Sequence, residues 1–356
     1  MIDPKFWAGR KVFLTGHTGF KGSWLSLWLG QLGAEVTGYS LPALTAPSIY
    51  TDAKVAEAVR NDIRGDIRDA AALTEAIQAA SPEIVIHMAA QALVRDSYDD
   101  PVTTYSTNIM GTANLLEAVR HTPGVKAALN ITTDKCYENN NWVWGYREND
   151  PMGGHDPYSS SKGCAELVSS AYRSSFLQDA GITLATARAG NVIGGGDWTK
   201  DRIVPDAMRA FMAKQTLLVR NLMATRPWQH VLEPLSGYLM LCQQLISEPV
   251  AFAEAWNFGP DEEDAPQPVS RLTDALVESW GEQAKWQLDD GAHPHEAWDL
   301  KLDSSKAKAR LKWRPTWGLE RMLDETVQLY KAWHNKADMR AFTLHQIESY
   351  QRERSA

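Results

Sequence analysis

Tyr158 and Lys162 lie four residues apart in the segment DPYSSSKGCAE, and this spacing places both side chains on one face of a helix. A free phenol has a pKa of about 10 and is a poor base at neutral pH. An ammonium group one helical turn away favours the phenolate and lowers that pKa. The pair therefore predicts a tyrosine that removes a proton from a hydroxyl group. A chance pair on a solvated helix face is the alternative.

Asp134 and Lys135 form a second pair of proton-exchanging groups, adjacent to each other in the segment ITTDKCYEN. They come shortly after the apolar segment KAALNI, which predicts a buried strand. Neither residue is placed to fill a core or to cap a helix. The residue types alone do not show which reaction Asp134 and Lys135 would serve at the end of this strand.

Three glycines, Gly16, Gly19 and Gly22, form a GxxGxxG pattern between the predicted strand KVFLT and a predicted helix. Glycine is needed where the backbone turns tightly and approaches a pyrophosphate at a helix N-terminus, whose free N–H groups favour anions. On the first strand-to-helix turn, this pattern predicts a dinucleotide site. A glycine turn with a purely structural role is the alternative.

The second predicted strand bears on which dinucleotide binds. A carboxylate about 20 residues after the glycines holds the ribose in NAD sites, but Ser40 stands at that position. No arginine stands there to favour a 2′-phosphate, so NAD is the predicted cofactor. Asp66 in GDIRD is a candidate acceptor for the adenine amino group. It is equally an acid at a helix N-terminus, although Asp69 is better placed for that role.

Strand-like and helical segments alternate through the first half of the chain. Strands are predicted at KVFLT, AEVTGY, NDIRGDI, EIVIHMA, KAALNIT and TLATARA. Helices are predicted at 24–33, 69–80, about 98–121 and about 157–180. This alternation predicts an α/β fold with a Rossmann-type, doubly wound parallel sheet.

Predicted strands and helices alternate less regularly in the second half of the chain. We predict a dinucleotide-binding domain at 1–190 and a smaller mixed α/β substrate-binding lobe at 191–356, with segments at about 230–260 returning to the first domain. The acidic, proline-containing segment 259–268 predicts a surface loop. The polar tail from about residue 337 predicts an appendage.

Composition narrows the class of partner. The 356 residues carry a net charge of -8, which provides no basic field for nucleic acid, so a small molecule is the predicted partner. No run approaches the roughly 18 apolar residues of a membrane helix, and the first residues lack a signal-peptide pattern, which predicts a cytoplasmic protein. The three cysteines are in no CxxC spacing, and His293 and His295 lack a convergent third ligand, so no metal site is predicted.

Seven segments in a fixed order resemble the extended short-chain dehydrogenase/reductase family. They are GHTGFKG, HMAAQ, TNIMGTANLLEA, TTDKCYE, YSSSK, RAGNVIGGGDW and RPWQHVLEP. They span about residues 10–235, and WNFGP and LDSSKAKARLKWRPTW extend the resemblance to nearly the whole chain. Within the family the chain is similar to nucleotide-sugar 4,6-dehydratases, in the branch for which CDP-glucose is the implied substrate.

The resemblance implies a role for both proton-exchanging pairs. Tyr158, with Thr133 and Lys162, removes the proton of the sugar 4-hydroxyl while NAD takes the hydride from C4. The resulting ketone acidifies C5, water is lost across C5 and C6, and the hydride returns to C6. We expect Asp134 to protonate the leaving C6 oxygen, and Lys135 either to take the C5 proton or to stabilise the enolate. Relatives that act on dTDP-glucose have Asp-Glu at these two positions.

The glycine pattern and the resemblance together predict the binding residues. For NAD they are Gly16, Thr18, Gly19, Phe20, Gly22, Ser40, Asp66, Ile67, Ala89, Ala90, Gln91, Thr107, Tyr158 and Lys162. For the nucleotide sugar they are Gln91, Asn108, Asn191, Arg202, Arg220, Arg226 and His230. Arginine forks suit a diphosphate. Arg226 is the strongest match, whereas Arg202 and Arg220 fit surface ion pairs equally well.

The sequence leaves alternatives open for both the oligomeric state and the function. Relatives pair the helices at about 98–121 and 157–180 across a two-fold axis, which implies a homodimer and leaves a tetramer open. The implied pathway makes a deoxysugar of a surface polysaccharide. The alternatives are a dehydratase for another nucleotide sugar (dTDP-glucose or GDP-mannose), a 4-epimerase, and a non-catalytic NAD-sensing regulator. The charged pair at 134–135 argues against the epimerase, and the complete set of catalytic residues argues against the regulator.

Overall fold

A computed structural model describes residues 1–261, 267–281, 284–289, 291 and 300–355. His293, His295 and part of the predicted loop at 259–268 lie outside the described residues. The strands are β1 (Lys11–Thr15), β2 (Glu35–Ser40), β3 (Asn61–Arg64), β4 (Ile84–His87), β5 (Ala127–Ile131), β6 (Thr183–Ala189), β7 (Val192–Ile193), β8 (Leu217–Val219), β9 (Thr225–Arg226), β10 (Gln229–His230), β11 (Ala255–Phe258), β12 (Gln267–Pro268) and β13 (Trp286–Leu288).

The helices alternate with these strands. They are α1 (Pro4–Trp7), α2 (Phe20–Gln31), α3 (Ile49–Asp52), α4 (Ala70–Ala80), α5 (Val94–Asp99), α6 (Pro101–Tyr105), α7 (Gly111–Arg120), α8 (Pro157–Tyr172), α9 (Ile203–Met212), α10 (Leu232–Ser247), α11 (Pro249–Phe252), α12 (Val269–Trp280), α13 (Leu319–His334) and α14 (Met339–Ser355). A π-type turn at Ser106–Met110 connects α6 directly to α7. A similar turn at Arg173–Leu177 follows α8.

Within the described residues, seven parallel strands form one sheet in the order β11-β6-β5-β4-β1-β2-β3. Strands covered by helices on both faces are buried along their whole length, and β5 and β6 are buried at every position. The strand order reverses between β1 and β4, and ligands of such sheets bind outside the carboxyl ends of the strands at this point. The predicted doubly wound parallel sheet is confirmed.

A second apolar cluster lies beside the sheet core. It joins α9, α12 and α13 through buried side chains that include Met208, Phe211, Leu276 and Tyr330. The chain reaches it after β6, returns to the sheet through α10 and β11, and then builds α12. The segments that follow the carboxyl ends of β5 and β6 therefore face a separate small core.

The prediction that the tail is an appendage was wrong. Met339, Ile347 and Tyr350 of α14 are buried in the main core, and the Tyr350 ring meets Trp28 of α2 edge to edge. The buried Glu233 carboxylate of α10 accepts hydrogen bonds from Tyr350 Oη (2.6 Å), Trp317 N (2.7 Å) and Thr316 N (3.0 Å). These contacts connect residues that are far apart in the chain. The polarity of the tail sequence alone therefore does not reveal them.

We expect the Tyr350→Phe variant to unfold with a free energy about 1–3 kcal/mol lower than the parent, because a buried carboxylate oxygen loses a donor. Urea unfolding followed by tryptophan fluorescence measures the difference. His345→Gln, at an exposed position of the same helix, is the matched control and should stay within about 0.5 kcal/mol of the parent. Equal effects in the two variants would show that Glu233 does not depend on Tyr350.

Candidate active site

The charged pair at 134–135 follows the carboxyl end of β5, on a single 3₁₀ turn at Asp134–Cys136. The Thr133 hydroxyl accepts a hydrogen bond from the Lys135 amide at 3.3 Å and donates one to Asp134 Oδ1 at 2.9 Å. Thr133 therefore bonds to both members of the pair. Asp134 is buried and Lys135 is partly exposed, so the carboxyl and the ammonium group have different environments.

The two oxygens of the Asp134 carboxyl differ in their hydrogen bonding, and Oδ1 accepts from Thr133. Its Oδ2 atom is buried and has no hydrogen-bond partner among the described residues. A Cβ atom at Gly190 would lie 3.1 Å from this oxygen, so a larger residue there would crowd it. Burial raises the pKa of Asp134, although Lys135, Thr133 and Arg226 act in the opposite direction. A carboxyl in this environment is suited to hold a proton and to donate it.

Tyr158 and Lys162 lie in the first two turns of α8. The Asp156 side chain caps the helix by accepting from Ser159 N, and Pro157 occupies the first helical position. Both functional side chains are buried. Lys162 Nζ donates to Ile131 O at 3.1 Å, which holds it against the end of β5.

Burial is the largest influence on the pKa values of this second pair. It raises the pKa of Tyr158 to about 12, and contact with the Thr133 hydroxyl acts in the opposite direction. Burial lowers the pKa of Lys162 to about 8, whereas Glu166 and Cys136 raise it. A cation bound beside the phenol would favour the phenolate. The predicted tyrosine base therefore needs the charge of an oxidised nicotinamide in addition to that of Lys162.

A buried ion pair connects the elements that carry the two candidate pairs. Arg188 of β6 donates from Nε and Nη2 to the two carboxylate oxygens of Glu166 on α8, at 3.0 and 2.9 Å. Thr132 and Thr186 also donate to this carboxylate. Arg188 Nη1 reaches Tyr137 Oη at 2.7 Å, directly after the turn that carries Asp134. The network connects α8, β5 and β6, so it sets the position of both pairs relative to each other.

The glycine loop has the shape that a dinucleotide requires. Gly16 has φ +77°, and a Cβ atom there would lie 2.7 Å from the Ala89 backbone nitrogen. A Cβ atom at Gly22 would overlap the Gly16 carbonyl. Gly19 caps α2 without a side chain to accept from the first helical N–H groups. These groups therefore remain directed at an anion, and the loop fits a dinucleotide pyrophosphate.

Other predicted cofactor residues surround this loop. Thr18 and Ser40 hydroxyls are 2.8 Å apart, which connects the loop to the end of β2. Asp66 is held by Arg68, whose Nε atom lies 3.0 and 2.9 Å from its two oxygens, and this contact lowers the pKa of Asp66. Asp69 caps α4, which confirms its predicted helix-capping role. The remaining residues are Phe20 in the first turn of α2, the buried Ile67 before α4, Ala89 and Ala90 after β4, and Thr107 in the π-type turn.

A cluster behind the loop escaped sequence reasoning. His17 Nε2 lies 2.7 Å from Asp62 Oδ1, and Asp62 also accepts from Tyr50 Oη at 2.6 Å. Arg64, at the end of β3, bonds to Asp62 and to Tyr50. The cluster holds the glycine loop against β2 and β3. The one local signal for it was the position of His17 inside the glycine motif.

The predicted substrate arginines lie between β7 and β10, at the start of α9 and at the ends of β8 and β9. Arg202 Nη1 bonds to Asp197 Oδ2 at 2.8 Å, and its charge acts on Tyr158. Arg226 is close enough to Asp134 to oppose the rise in its pKa. Arg220 Nη2 lies 3.3 Å from Asp201 Oδ1, at a cavity of about 420 Å³. Arg202 and Arg226 thus act electrostatically on Tyr158 and Asp134, whereas Arg220 lines this cavity.

Three further predicted residues are engaged within the protein. Asn108 donates to Ser161 Oγ at 2.8 Å and to Gln91 O at 3.0 Å, and the Gln91 side chain bonds to Leu93 and Thr104. His230 is fully buried between Trp24 and Trp317, which favours a packing role. Asn191 is half-buried, and its carbonyl accepts from Gln229 N at 3.0 Å. Substrate contacts for these side chains stay predictions.

The described residues contain no group of three or more His, Cys, Asp or Glu side chains that could hold a metal ion. No helix in the described ranges is long and apolar enough to cross a membrane. The site is therefore built from Thr133, Asp134, Lys135, Tyr158 and Lys162, beside a loop that fits a dinucleotide.

Comparison with known proteins places this arrangement in a family. The model of the GDP-mannose 4,6 dehydratase family matches residues 13–326. The chain belongs to this family. The family member described here is 55% identical over 355 residues to CDP-glucose 4,6-dehydratase of Salmonella typhimurium, which covers 98% of both chains. The family resemblance read from the seven sequence segments is thereby confirmed.

Solved structures show the same fold as this family member. One is dTDP-glucose 4,6-dehydratase of Bacillus anthracis in complex with NAD, with a TM-score of 0.74 and 20% identity over 92% of this chain and 99% of that one. Another is UDP-glucose-4-epimerase of Stenotrophomonas maltophila with bound NAD, with a TM-score of 0.78 and 20% identity over 92% and 100% of the two chains. Both dehydratases and epimerases use the fold, so the fold alone does not select between them.

We expect Arg188→Leu to lower the free energy of unfolding by about 3–5 kcal/mol, because it leaves the Glu166 carboxylate buried without its cation. Replacing both partners, in Glu166→Leu with Arg188→Leu, should cost less than the single change. Arg147→Leu is the control, since the Arg147 side chain is 71% exposed in its pair with Asp303 and should contribute less than about 1 kcal/mol. Urea unfolding compares the four proteins. A single-variant loss no larger than that of the control would contradict the role of the pair.

Proposed function

We propose that this family member is a CDP-glucose 4,6-dehydratase, which converts CDP-D-glucose to CDP-4-keto-6-deoxy-D-glucose and water with bound NAD. The choice of CDP-glucose is supported by the 55% identity to the Salmonella typhimurium enzyme over nearly the full length of both chains. The choice of NAD is supported by the fit of the glycine loop and by the NAD in the solved structures of similar fold.

The observation that carries the dehydratase reaction is the state of Asp134. Its carboxyl is buried, its pKa is raised, and its Oδ2 atom has no hydrogen-bond partner among the described residues. Loss of water from C6 needs an acid that delivers a proton to the departing oxygen. A 4-epimerase has no leaving group and no use for such an acid. A regulator that only senses NAD has no use for it either.

The residues divide the reaction between them. NAD, when bound, accepts the hydride from C4 and later returns it at C6. Tyr158 removes the proton of the 4-hydroxyl, with Lys162 and Thr133 favouring its phenolate form. Asp134 protonates the C6 oxygen as it leaves. Lys135, adjacent and partly exposed, either accepts the C5 proton or stabilises the enolate that forms when it departs. Hydride addition at C6 forms an enolate again, and C5 then takes up a proton, from Lys135 if that residue removed it or otherwise from water.

The nucleotide is bound, in this proposal, by the second lobe. Arg202, Arg220 and Arg226 supply three guanidinium groups, which suit the diphosphate of a nucleotide sugar. Arg202 and Arg226 act on Tyr158 and Asp134 electrostatically, so a phosphate held by them places the sugar next to the catalytic pairs. Arg220 lies at the neighbouring cavity, which has the volume of a small-ligand site.

A dehydratase for another nucleotide sugar is the second candidate, since the family model is named for GDP-mannose. We expect product from CDP-glucose when CDP-glucose, dTDP-glucose, UDP-glucose and GDP-mannose are each incubated with the protein and NAD. The 4-keto-6-deoxy product is detected by mass as the loss of one water. Turnover of another sugar nucleotide in preference to CDP-glucose would shift the assignment to that substrate. A product of unchanged mass would indicate an epimerase.

The role of Asp134 in the loss of water can be tested separately from the oxidation at C4. We expect Asp134→Asn to slow product formation by about 100- to 10,000-fold, because the leaving oxygen loses its proton donor. Oxidation at C4 does not need that donor, so reduced nicotinamide should accumulate and be visible by its absorbance. Tyr158→Phe should slow oxidation itself and give no such accumulation. Asp134→Asn without accumulation would place Asp134 in the first step instead.

Lys135 is tested by exchange at C5. We expect Lys135→Met to slow exchange of the C5 hydrogen with deuterated solvent by about 100-fold, whether Lys135 is the base or stabilises the enolate. Lys135→Arg retains the charge but is a much weaker base. It should restore exchange if the charge is what matters and fail to do so if Lys135 takes the proton. Exchange at the parent rate in Lys135→Met would remove Lys135 from the reaction.

We also infer a homodimer, with a larger assembly left open. Apolar side chains are exposed along the helices at 94–120 and 157–177. They are Tyr98, Val102, Tyr105, Met110, Leu167 and Phe176. Pairing of these helices with a second copy would remove this apolar surface from water. Sedimentation of the full chain as a monomer would contradict the dimer. The cytoplasmic location read from the sequence stays a prediction.

A further inference from the structure

Asn257 of β11, in the segment WNFGP, is a fully buried polar residue that has no role in the reaction described above. The parallel pairing of β6 with β11 places it directly opposite Arg188. Successive side chains of a strand point to opposite faces of its sheet, so residues that are paired across two strands share a face. Asn257 and Arg188 therefore project together from one face of the sheet.

The hydroxyl of Tyr137 binds both of these side chains. Its oxygen lies 2.7 Å from Asn257 Oδ1 and 2.7 Å from Arg188 Nη1. Tyr137 comes directly after the 3₁₀ turn at Asp134–Cys136. The side chain of Tyr137 therefore connects that turn to two neighbouring strands of the sheet.

The amide of Asn257 determines the direction of these hydrogen bonds. Its nitrogen donates to two carbonyl oxygens, Tyr146 O at 2.8 Å and Asp303 O at 3.1 Å. Its oxygen is therefore the atom that accepts, and the phenol of Tyr137 supplies the hydrogen. The phenolic oxygen in turn accepts from Arg188, because a guanidinium can only donate. This chain of hydrogen bonds requires a protonated phenol, and burial raises the pKa of Tyr137, which keeps it protonated.

Contacts of the aromatic ring hold the phenol in this place. The Tyr146 ring stacks on the Tyr137 ring, with 5.2 Å between the centroids and 20° between the planes. The central carbon of the Arg188 guanidinium lies 4.9 Å from the centroid of the Tyr137 ring. The main chain of the turn has another support, since Gly153 N donates to Cys136 O at 2.9 Å. That bond leads to the segment before α8, whereas the Tyr137 side chain leads to the sheet.

Arg188 uses different atoms for the two elements that it supports. Its Nε and Nη2 atoms bind Glu166 on α8, the helix that carries the tyrosine base. Its Nη1 atom binds the phenol of Tyr137. Loss of the phenolic hydroxyl would therefore leave the support of α8 in place and would loosen the Asp134–Cys136 turn.

We propose that Tyr137 is a positioning residue for the elimination of water. Its hydroxyl, held by Asn257 and Arg188, fixes the turn that presents Asp134 and Lys135 to C6 and C5 of the sugar. The proposal rests on the proposed dehydration and deepens it, because it assigns further residues to one step of that reaction. A displacement of a reacting group by about 1 Å can slow a step by about 100-fold.

The test is the Tyr137→Phe variant, which loses one hydroxyl and keeps the ring. A single turnover of CDP-glucose, or of the sugar nucleotide that the parent prefers, is followed by the absorbance of the reduced nicotinamide and by the mass of the product. We expect oxidation at C4 at the parent rate and loss of water about 10- to 100-fold more slowly, so that reduced nicotinamide accumulates. A general loss of structure would instead lower both rates together.

Tyr146→Phe is the matched control. The Tyr146 ring belongs to the same stack, but its hydroxyl donates to Asn139 Oδ1 at 3.0 Å and accepts from Asn140 N at 2.6 Å, so it does not bind the sheet. Both steps should proceed in this variant as in the parent. Asn257→Leu removes the acceptor instead of the donor, and it should reproduce the accumulation seen with Tyr137→Phe. Circular dichroism identifies a temperature at which all of these proteins are folded.

Two kinetic results would overturn the proposal. One is an equal slowing of oxidation and of water loss in Tyr137→Phe, since the hydroxyl would then support the whole site. The other is parent-like behaviour in both steps. A Tyr137→Phe protein that does not fold at any temperature would overturn it too, because the hydroxyl would then serve the fold as a whole.

Failure of the proposed function gives a different result. If the parent dehydrates none of the sugar nucleotides, the proposed function is wrong. If the parent releases the dehydrated product and Tyr137→Phe does so without accumulation of reduced nicotinamide, only the role of Tyr137 is wrong.

Discussion

The ion pair between Glu166 and Arg188 is the interaction on which the arrangement of the site depends. It is buried, and it joins α8, which carries Tyr158 and Lys162, to β6, while Arg188 also holds Tyr137 just after the turn that carries Asp134. A charge pair in such a place contributes little net stability compared with an apolar pair of the same shape. It does impose one relative placement of helix and strand end. The separation between the Tyr158–Lys162 pair and the Asp134–Lys135 pair therefore depends on it.

The same low-polarity surroundings explain the chemistry of the charged groups. Burial favours the neutral form of every ionisable group, so it raises the pKa of Asp134 and lowers that of Lys162. The opposite pKa shifts of the acid and of the lysine thus have one physical cause. The differences between the groups come from their neighbours. Thr133 contacts Asp134 and Tyr158, and Glu166 acts on Lys162.

Sequence reasoning succeeded where the signal is local. The glycines of the first turn and the Tyr158–Lys162 spacing each lie within a few residues of chain. Each strand and helix is likewise a local pattern, and the alternation of these elements predicts the parallel sheet. It failed where partners are distant. Glu233 and Tyr350 are 117 positions apart, and His17 and Asp62 are 45 apart, so no periodic pattern connects them.

The docking of α14 has a consequence for how the protein is made. Tyr350 packs on Trp28 of the helix that begins at the glycine loop. While the ribosome still covers α14, the carboxylate of Glu233 lacks its phenolic donor and one side of α2 stays uncovered. The helix after the glycine loop therefore reaches its final packing only when α14 has emerged. A chain cut short before α14 would leave this side of α2 exposed to water.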